Sequence, residues 1–511
     1  MSFKDLYSKL FIQKYNKNFL IYFNGQDRIT LTNRDYAKKI DLISYNIQKL
    51  FKDISIDSWV GIRCKNNPFW FAVMFALLKN GYNVLLLDEN CPDSLLKNYI
   101  EQADLKAIVT DSPSALDNIK LVDFIELISV NDVPKDYIPI DSWAENLAFC
   151  TSGTTGNAKI FVFNSEPIIN QINHLTNAFY SLVEGTNMSV LTFLPFRHCI
   201  GFNATITMWN LGVSVVMPMK SNIMGIIQTV KQESISAIVS VPAYLKAITR
   251  ICKGMFKTLD KSSFNKLMGD SLKIVISGGA KADNETILAF NSVGIDFYNG
   301  YGMTEIGIIS LGKCDDNHLG DFLGNYISKN ITTKILSNDT NLMDSGNGEI
   351  LVKSDTMFNG VLIDGKVQPP QLYSNTYYQT GDLFNIVDNQ LYYIGRDKNV
   401  IIGEGGENVY PEELMEHFDI LNNLVDQFCI IGISEKPVLV LFTKDSSNIN
   451  DDLKKTIVDK NSILAIYKKI SKVFISKEPL PVTTKGEISL KKVKDIFEKY
   501  PMCMNEFNLK G

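Results

Sequence analysis

Thr151-Ser152-Gly153-Thr154-Thr155-Gly156-Asn157-Ala158-Lys159 follows the apolar run Leu147-Ala148-Phe149. Its first six residues are hydroxyl side chains or glycine, and a lysine closes it. That composition suits an anion. Gly153 and Gly156 allow φ > 0 and close backbone approach, the N–H groups form a concave nest, the hydroxyls donate hydrogen bonds, and Lys159 adds positive charge. The bland alternative is a solvated Ser/Thr/Gly turn. The sharp one is the P-loop, GxxxxGK[ST], which counted from Gly153 puts Lys159 in place. Ala158 stands where its second glycine belongs, however, and Ile160 where its magnesium-binding hydroxyl belongs. The P-loop reading fails at two positions.

A second constellation is Asn299-Gly300-Tyr301-Gly302-Met303-Thr304-Glu305-Ile306-Gly307. Tyr301 offers a flat face to a purine and Glu305 a hard oxygen to magnesium. A tight turn with an exposed glutamate is the alternative. In Tyr377–Phe384, the pair Gly381-Asp382 reads as a turn presenting a carboxylate. The glycines at 278–279 and at 403, 405 and 406 do not complete GxGxxG; in the second stretch Asn408 replaces the last glycine. A nicotinamide enzyme is set aside on that ground.

These segments need elements to hold them. Asn67-Pro68 reads as N-cap and first helical residue, and Asn80-Gly81 as a stop, around the apolar Phe69–Lys79. The run Tyr82–Asp88 reads as a parallel strand covered on both faces. A helix over Asp93–Ala103 and a strand at Lys106–Asp111 complete a βαβ alternation. Further strands are expected at Ser189–Phe193, Ser236–Pro242, Leu272–Ala280 and Ile295–Tyr298. Each ends in small or turn residues, where an α/β sheet places ligands. Pro411 with Glu412 and Glu413 opens a helix, its acids complementing the helix dipole. Two strands are expected between about Phe428 and Lys444. The class is α/β: a large N-terminal domain of doubly wound mixed or parallel sheets plus a small mobile C-terminal α+β lid.

The chain has 511 residues, a 45% apolar share and a formal net charge of −5, which gives no reason to expect nucleic acid. Its eight cysteines are scattered without a CxxC pair, which argues against a zinc ribbon and fits a reducing cytoplasm. The N-terminus lacks a signal-peptide apolar core. The longest apolar region, Phe69–Leu87, is interrupted at Lys79-Asn80-Gly81, so no transmembrane segment is expected.

Together the stretches at 151–159, 299–307, 377–384 and 393–418, with "LLKNGYNVLLLDENCP" upstream, resemble the adenylate-forming superfamily: acyl-CoA synthetases, peptide-synthetase adenylation domains and luciferases. The resemblance implies domains at 1–397 (subdomains about 1–180, 181–320 and 321–397) and 398–511. It implies ATP-dependent activation of a carboxylic acid as acyl-adenylate, with pyrophosphate released, then transfer to a thiol. The acceptor is coenzyme A or a carrier-protein phosphopantetheine. ATP and Mg2+ would be held by Thr151–Gly156, Gly279, Ala280, Asn299, Gly300, Tyr301, Gly302, Met303, Thr304, Asp382 and Arg396, with Glu305 on the metal. Asp382 and Arg396 would reach the ribose, Lys159 would act on the phosphates, and Lys398 would be the hinge.

Pro195-Phe196-Arg197-His198-Cys199-Ile200-Gly201 is similar to the segment of aryl- and fatty-acyl-CoA synthetases that carries a histidine, here His198. It lacks the acid expected of an α-amino-acid enzyme. The substrate is therefore expected to be a small carboxylic acid without an α-amino group, near His198, Tyr244, Gly279, Gly302 and Gly307. Near the C-terminus the family pattern ends in Gly-Lys; here Glu487 follows Gly486, and Lys485 lies two residues before Glu487. If extended, the segment would put Lys485 on the same side, displaced by about 6.5–7 Å. A luciferase-like oxygenase and a weakly adenylating homologue stay open as alternatives. From Lys460 to Lys499 ten lysines face four acids, which reads as a solvated lid surface or a docking face for coenzyme A or an acidic carrier protein.

Overall fold

Nine of the ten residues in the helix Trp70–Lys79 are buried, as its nearly continuous apolar sequence requires. It starts two residues later than the sequence suggests. Asn67 Oδ1 accepts from Phe69 N at 3.0 Å, so an Asx turn precedes the first helical residue. It stops where expected, with Gly81 at φ +83°.

This computed structural model describes the chain outside residues 14–17, 113–115, 117–118, 135–136, 138, 152–158, 185, 338–340, 397–398, 403–407, 465–467, 484–485, 501–502 and 508–511. The described chain forms two units, Met1–Thr332 with Lys353–Thr376, and Thr333–Val352 with Tyr377–Gly511. The expected boundary at 397–398 lies outside the described residues. The strands Tyr378–Val387 and Gln390–Arg396, before that boundary, group with the C-terminal chain.

The first unit holds two sheets. Among the described residues the first has eight strands. Five of them are parallel, in the order Asn146–Thr151, Asn83–Leu86, Trp59–Arg63, Ala107–Thr110, Lys120–Asp123. Lys159–Asn164, Gly360–Ile363 and Lys366–Gln368 extend it antiparallel. Asn83–Leu86 is buried at every position, as a strand covered on both faces should be.

The second sheet has nine described strands. Its parallel part runs Asp296–Met303, Ile274–Gly278, Ala237–Ser240, Ser189–Leu191, Ser214–Val216, Asn18–Asn24. Val275, Ile238 and Leu191 join helix residues such as Leu245, Ile287 and Phe290 in one buried cluster beside it.

The second unit is largely β. Tyr378–Val387 pairs antiparallel with Gly346–Lys353 and with Gln390–Arg396. Farther along, Gln427–Ile433, Lys436–Phe442, Lys472–Ser476 and Met504–Glu506 form a four-stranded sheet carrying the helices Pro411–His417 and Leu490–Lys499. The α/β class read from the sequence holds. No helix among the described residues is long and apolar enough to cross a membrane.

Candidate active site

In the second sheet, four adjacent parallel strands end side by side: Ser189–Leu191, Ala237–Ser240, Ile274–Gly278 and Asp296–Met303. Their carboxyl ends lead to His198, to Tyr244, to Gly279 and Ala280, and to Tyr301–Glu305. The sheet thus gathers on one edge residues that the sequence scatters over about a hundred positions. This edge is where open α/β sheets bind ligands.

His198 is the residue before the helix Cys199–Leu211, and Ile200 Cδ1 in its first turn lies 3.8 Å from where a Cβ on Gly278 would stand. Tyr244 is half-buried, its ring packed edge-on against Phe193 with centroids 5.0 Å apart. Gly278 pairs with Gly300, and Ser277 with the buried Asn299. Tyr301 is 8% exposed and sits opposite Ser310, with an irregularity in the ladder immediately after it.

Met303 pairs with Gly307, which leaves Thr304, Glu305 and Ile306 as the turn of a hairpin. Gly302 is required there, because a Cβ would come within 2.4 Å of the Gly307 carbonyl oxygen. Glu305 is partly exposed, and its backbone oxygen accepts from Phe358 N at 2.9 Å. Gly307 faces the buried Gln171, whose amide bridges Asn203 Nδ2 and the Thr356 carbonyl.

The phosphate-loop candidates Ser152, Gly153, Thr154, Thr155 and Gly156 lie outside the described residues. The ends of that stretch are described: Thr151 pairs with Lys159 in an antiparallel hairpin of Asn146–Thr151 with Lys159–Asn164. A P-loop runs from a strand into a helix; here a strand follows, an independent reason against that reading. The Lys159 side chain is exposed.

In the second unit, Asp382 is 2% exposed and pairs across the strands with Arg396, whose Nε lies 3.0 Å from its Oδ1. The sequence suggested a turn at Gly381-Asp382. The structure instead puts both residues inside the strand Tyr378–Val387, where the ladder slips between Glu349 and Leu351 and Gly381 takes φ +71°. A bulge aims the carboxylate as a turn would have done, while strands on either side hold it.

Burial first, and then the charges of Asp382, Glu412 and Glu487, hold the Tyr393 hydroxyl well above its ordinary pKa range, with Arg396 opposing. Glu487, like Asp382 and Arg396, therefore lies within electrostatic range of Tyr393. Glu412 is also raised by burial, against Asn399, which donates to its Oε1 at 2.8 Å, and against Arg396.

Lys485 and Lys398 lie outside the described residues. The extended geometry expected before Glu487 is corrected by the structure. Val482 bridges Ile488, Thr483 N donates to Glu487 O at 2.7 Å, and Gly486 takes φ +81°. Gly486 is thus out of the extended conformation, and Glu487 is exposed.

Three charged residues in the first unit escaped the sequence reading: the buried Arg197 and the half-buried Asp88 and Glu89. Arg197 Nη2 lies 2.9 Å from Asp88 Oδ2, and Nη1 2.8 Å from Glu89 Oε2. Burial raises the Glu89 pKa, opposed by Arg197. The available signal was two acids ending an apolar strand and an arginine between Phe196 and His198.

The model of the AMP-binding enzyme family matches residues 12–362. The chain belongs to the AMP-binding enzymes. Among curated relatives, a 2-succinylbenzoate–CoA ligase of Staphylococcus epidermidis is 28% identical over 411 residues, covering 78% of this chain and 79% of the relative. A 4-coumarate–CoA ligase of Solanum tuberosum is 24% identical over 420 residues, covering 79% and 74%. Among solved structures, an O-succinylbenzoate coenzyme A synthetase from Bacillus subtilis, in complex with ATP and magnesium ion, superposes with a TM-score of 0.78 at 18% identity, covering 96% of this chain and 99% of that one.

The family match makes this chain an AMP-binding enzyme, and the two curated relatives named above are themselves CoA ligases. The described residues contain no group of three or more His, Cys, Asp or Glu side chains able to hold a metal ion. Glu305, on the turn of the hairpin, offers a single carboxylate, the kind of donor that magnesium takes beside a nucleotide's phosphates.

Proposed function

We propose that this enzyme activates an aryl or fatty carboxylic acid lacking an α-amino group, and that 2-succinylbenzoate or a related aryl acid is the first substrate to try. A carboxylate oxygen attacks the α-phosphorus of ATP and expels pyrophosphate. A thiol sulfur then attacks the acyl carbon, and AMP leaves with the oxygen it gained. The observation that supports this reading is the row of adjacent parallel strands in the second sheet whose carboxyl ends lead to His198, Tyr244, Gly279, Ala280 and Tyr301–Glu305.

In this reading Tyr301 packs on the adenine, with Asn299, Gly300, Gly302 and Met303 shaping the strand that carries it. Thr304 contacts the phosphates and Glu305 holds magnesium, which neutralises phosphate charge when bound. Thr151–Gly156 and Lys159 stabilise the departing pyrophosphate. Asp382 takes the ribose hydroxyls beside Arg396. His198, Tyr244, Gly279, Gly302 and Gly307 line the place of the acid. A lid of 398–511 turns about Lys398 between the two half-reactions. The eight cysteines are scattered without a CxxC pair, which supports a reducing, cytoplasmic setting.

A second reading, a homologue that adenylates weakly and mainly transfers the acyl group, is favoured by Glu487. A carboxylate in the place of the family's lysine would repel a reacting carboxylate and phosphate. The test is a panel of 2-succinylbenzoate, 4-coumarate, benzoate and fatty acids with Mg-ATP and coenzyme A. Acyl-CoA thioester with one of these acids supports the proposal. Thioester only from supplied acyl-adenylate, with none from acid and ATP, favours the second reading. ADP as product sinks both.

A further inference from the structure

Arg197 immediately precedes His198 and is 8% exposed. Its guanidinium is held by Asp88 at 2.9 Å and Glu89 at 2.8 Å. Those acids lie just past the strand Asn83–Leu86 of the first sheet, whereas His198 follows a strand of the second. Their loop is tied down in turn by Arg63, 7% exposed, whose Nη2 donates to the Cys91 carbonyl at 3.0 Å. The residues on either side of Pro195 are fixed from the same side. Asn66 Nδ2 donates to the Leu194 carbonyl at 2.8 Å, and Phe196 N donates to Asn66 Oδ1 at 2.9 Å.

The side-chain anchors on Leu194, Phe196 and Arg197 thus come from the carboxyl edge of the first sheet, while the segment they hold delivers His198 to the carboxyl edge of the second. A buried arginine between two carboxylates contributes little net stability, because desolvation offsets the attraction. What it supplies is a fixed direction, since the planar guanidinium presents its donors in a rigid fork.

We propose that Arg197 is a positioning residue for the activation reaction: clamped by Asp88 and Glu89, it fixes the orientation of His198 and the first turn of the helix Cys199–Leu211 toward the acid. The inference rests on reading His198 as part of the acid site. Its consequence is that the loop at 88–91, in the other sheet, sets how well the acid is oriented.

Four histidines make this directly measurable. Ring carbon-13-labelled protein gives one signal set each from His174, His198, His318 and His417, and His198→Asn identifies the second. In Arg197→Met and in Glu89→Gln the His198 signal should move while the other three stay, and Arg197→Lys should restore it in part. With 2-succinylbenzoate as probe acid, kcat/KM for the acid should fall by up to about 10²-fold in Arg197→Met, the loss expected for a misplacement of about 1 Å. The KM for ATP should stay within about twofold, since only the acid's side of the site is displaced.

An unmoved His198 signal in both variants overturns the proposal. So does movement of all four signals together, which is what a merely structural ion pair would give. Should Arg197→Met fail to fold, Glu89→Gln and Arg197→Lys decide alone. The acid-site reading fails separately: if His198→Asn leaves the KM for the acid unchanged, His198 is not at the acid, whatever Arg197 does to its signal.

Discussion

Asp382 is nearly inaccessible, yet it stands on a bulge across from Arg396, so its geometry is set before any ligand arrives. Asp382→Ala should weaken ATP use by about 1–3 kcal/mol, the cost of leaving ribose hydroxyls unpaired in a closed site. Unchanged KM and kcat for ATP would remove the ribose role. Glu412 gives a pH signature. Its folded pKa is raised by burial, with Asn399 and Arg396 opposing; the nearby Tyr393 is itself pushed up. The favourable contribution is therefore fully present below the unfolded pKa and is lost as pH rises through the raised folded value. Glu412→Gln, neutral throughout, should gain in Tm relative to the parent as pH goes from about 5 to about 8, the window above an ordinary glutamate pKa. A Tm difference that stays flat, or runs the other way, would contradict the burial argument.

At the scale of elements, the hairpin from Asp296 to Cys314 carries the adenine candidate on its first strand and the metal candidate on its turn. Gly302→Ala should distort it, because the new methyl meets backbone rather than a flexible side chain; overpacking of this kind costs about 1–3 kcal/mol. The expected outcome is a lower Tm and poorer ATP use together, and a variant equal to the parent in both would show that the hairpin tolerates the shift. Much of this scale was legible in the sequence. The strand at Asn83–Leu86 and the helix at Asp93–Ala103 follow from apolar runs bounded by turn residues. What was not legible depends on partners distant in sequence. Arg197 is unremarkable until the fold brings it to Asp88 and Glu89, and the pairing of Thr483 with Glu487 is made by backbone groups that no side-chain pattern announces.

For the whole molecule, the family match makes the chain an AMP-binding enzyme, while Glu487, where the family pattern carries a lysine, marks where its behaviour should differ. Lys398→Pro should slow adenylate formation and thioester formation unequally, since a fixed φ restricts a turn about that residue; parent rates in both half-reactions would argue against a hinge there. Glu487→Lys should speed adenylation, a cation beside developing phosphate charge being worth about 3–4 kcal/mol in preorganised sites. No change in Glu487→Lys, with loss of adenylation in Lys485→Ala, would make Lys485 the residue that acts. The central claim, attack of the acid's own carboxylate on the α-phosphorus of ATP, is tested most directly by following its oxygen. With substrate labelled by oxygen-18 in the carboxylate, turnover with Mg-ATP and coenzyme A should yield AMP carrying one labelled oxygen and pyrophosphate carrying none. Unlabelled AMP, or ADP with labelled phosphate, would contradict the account.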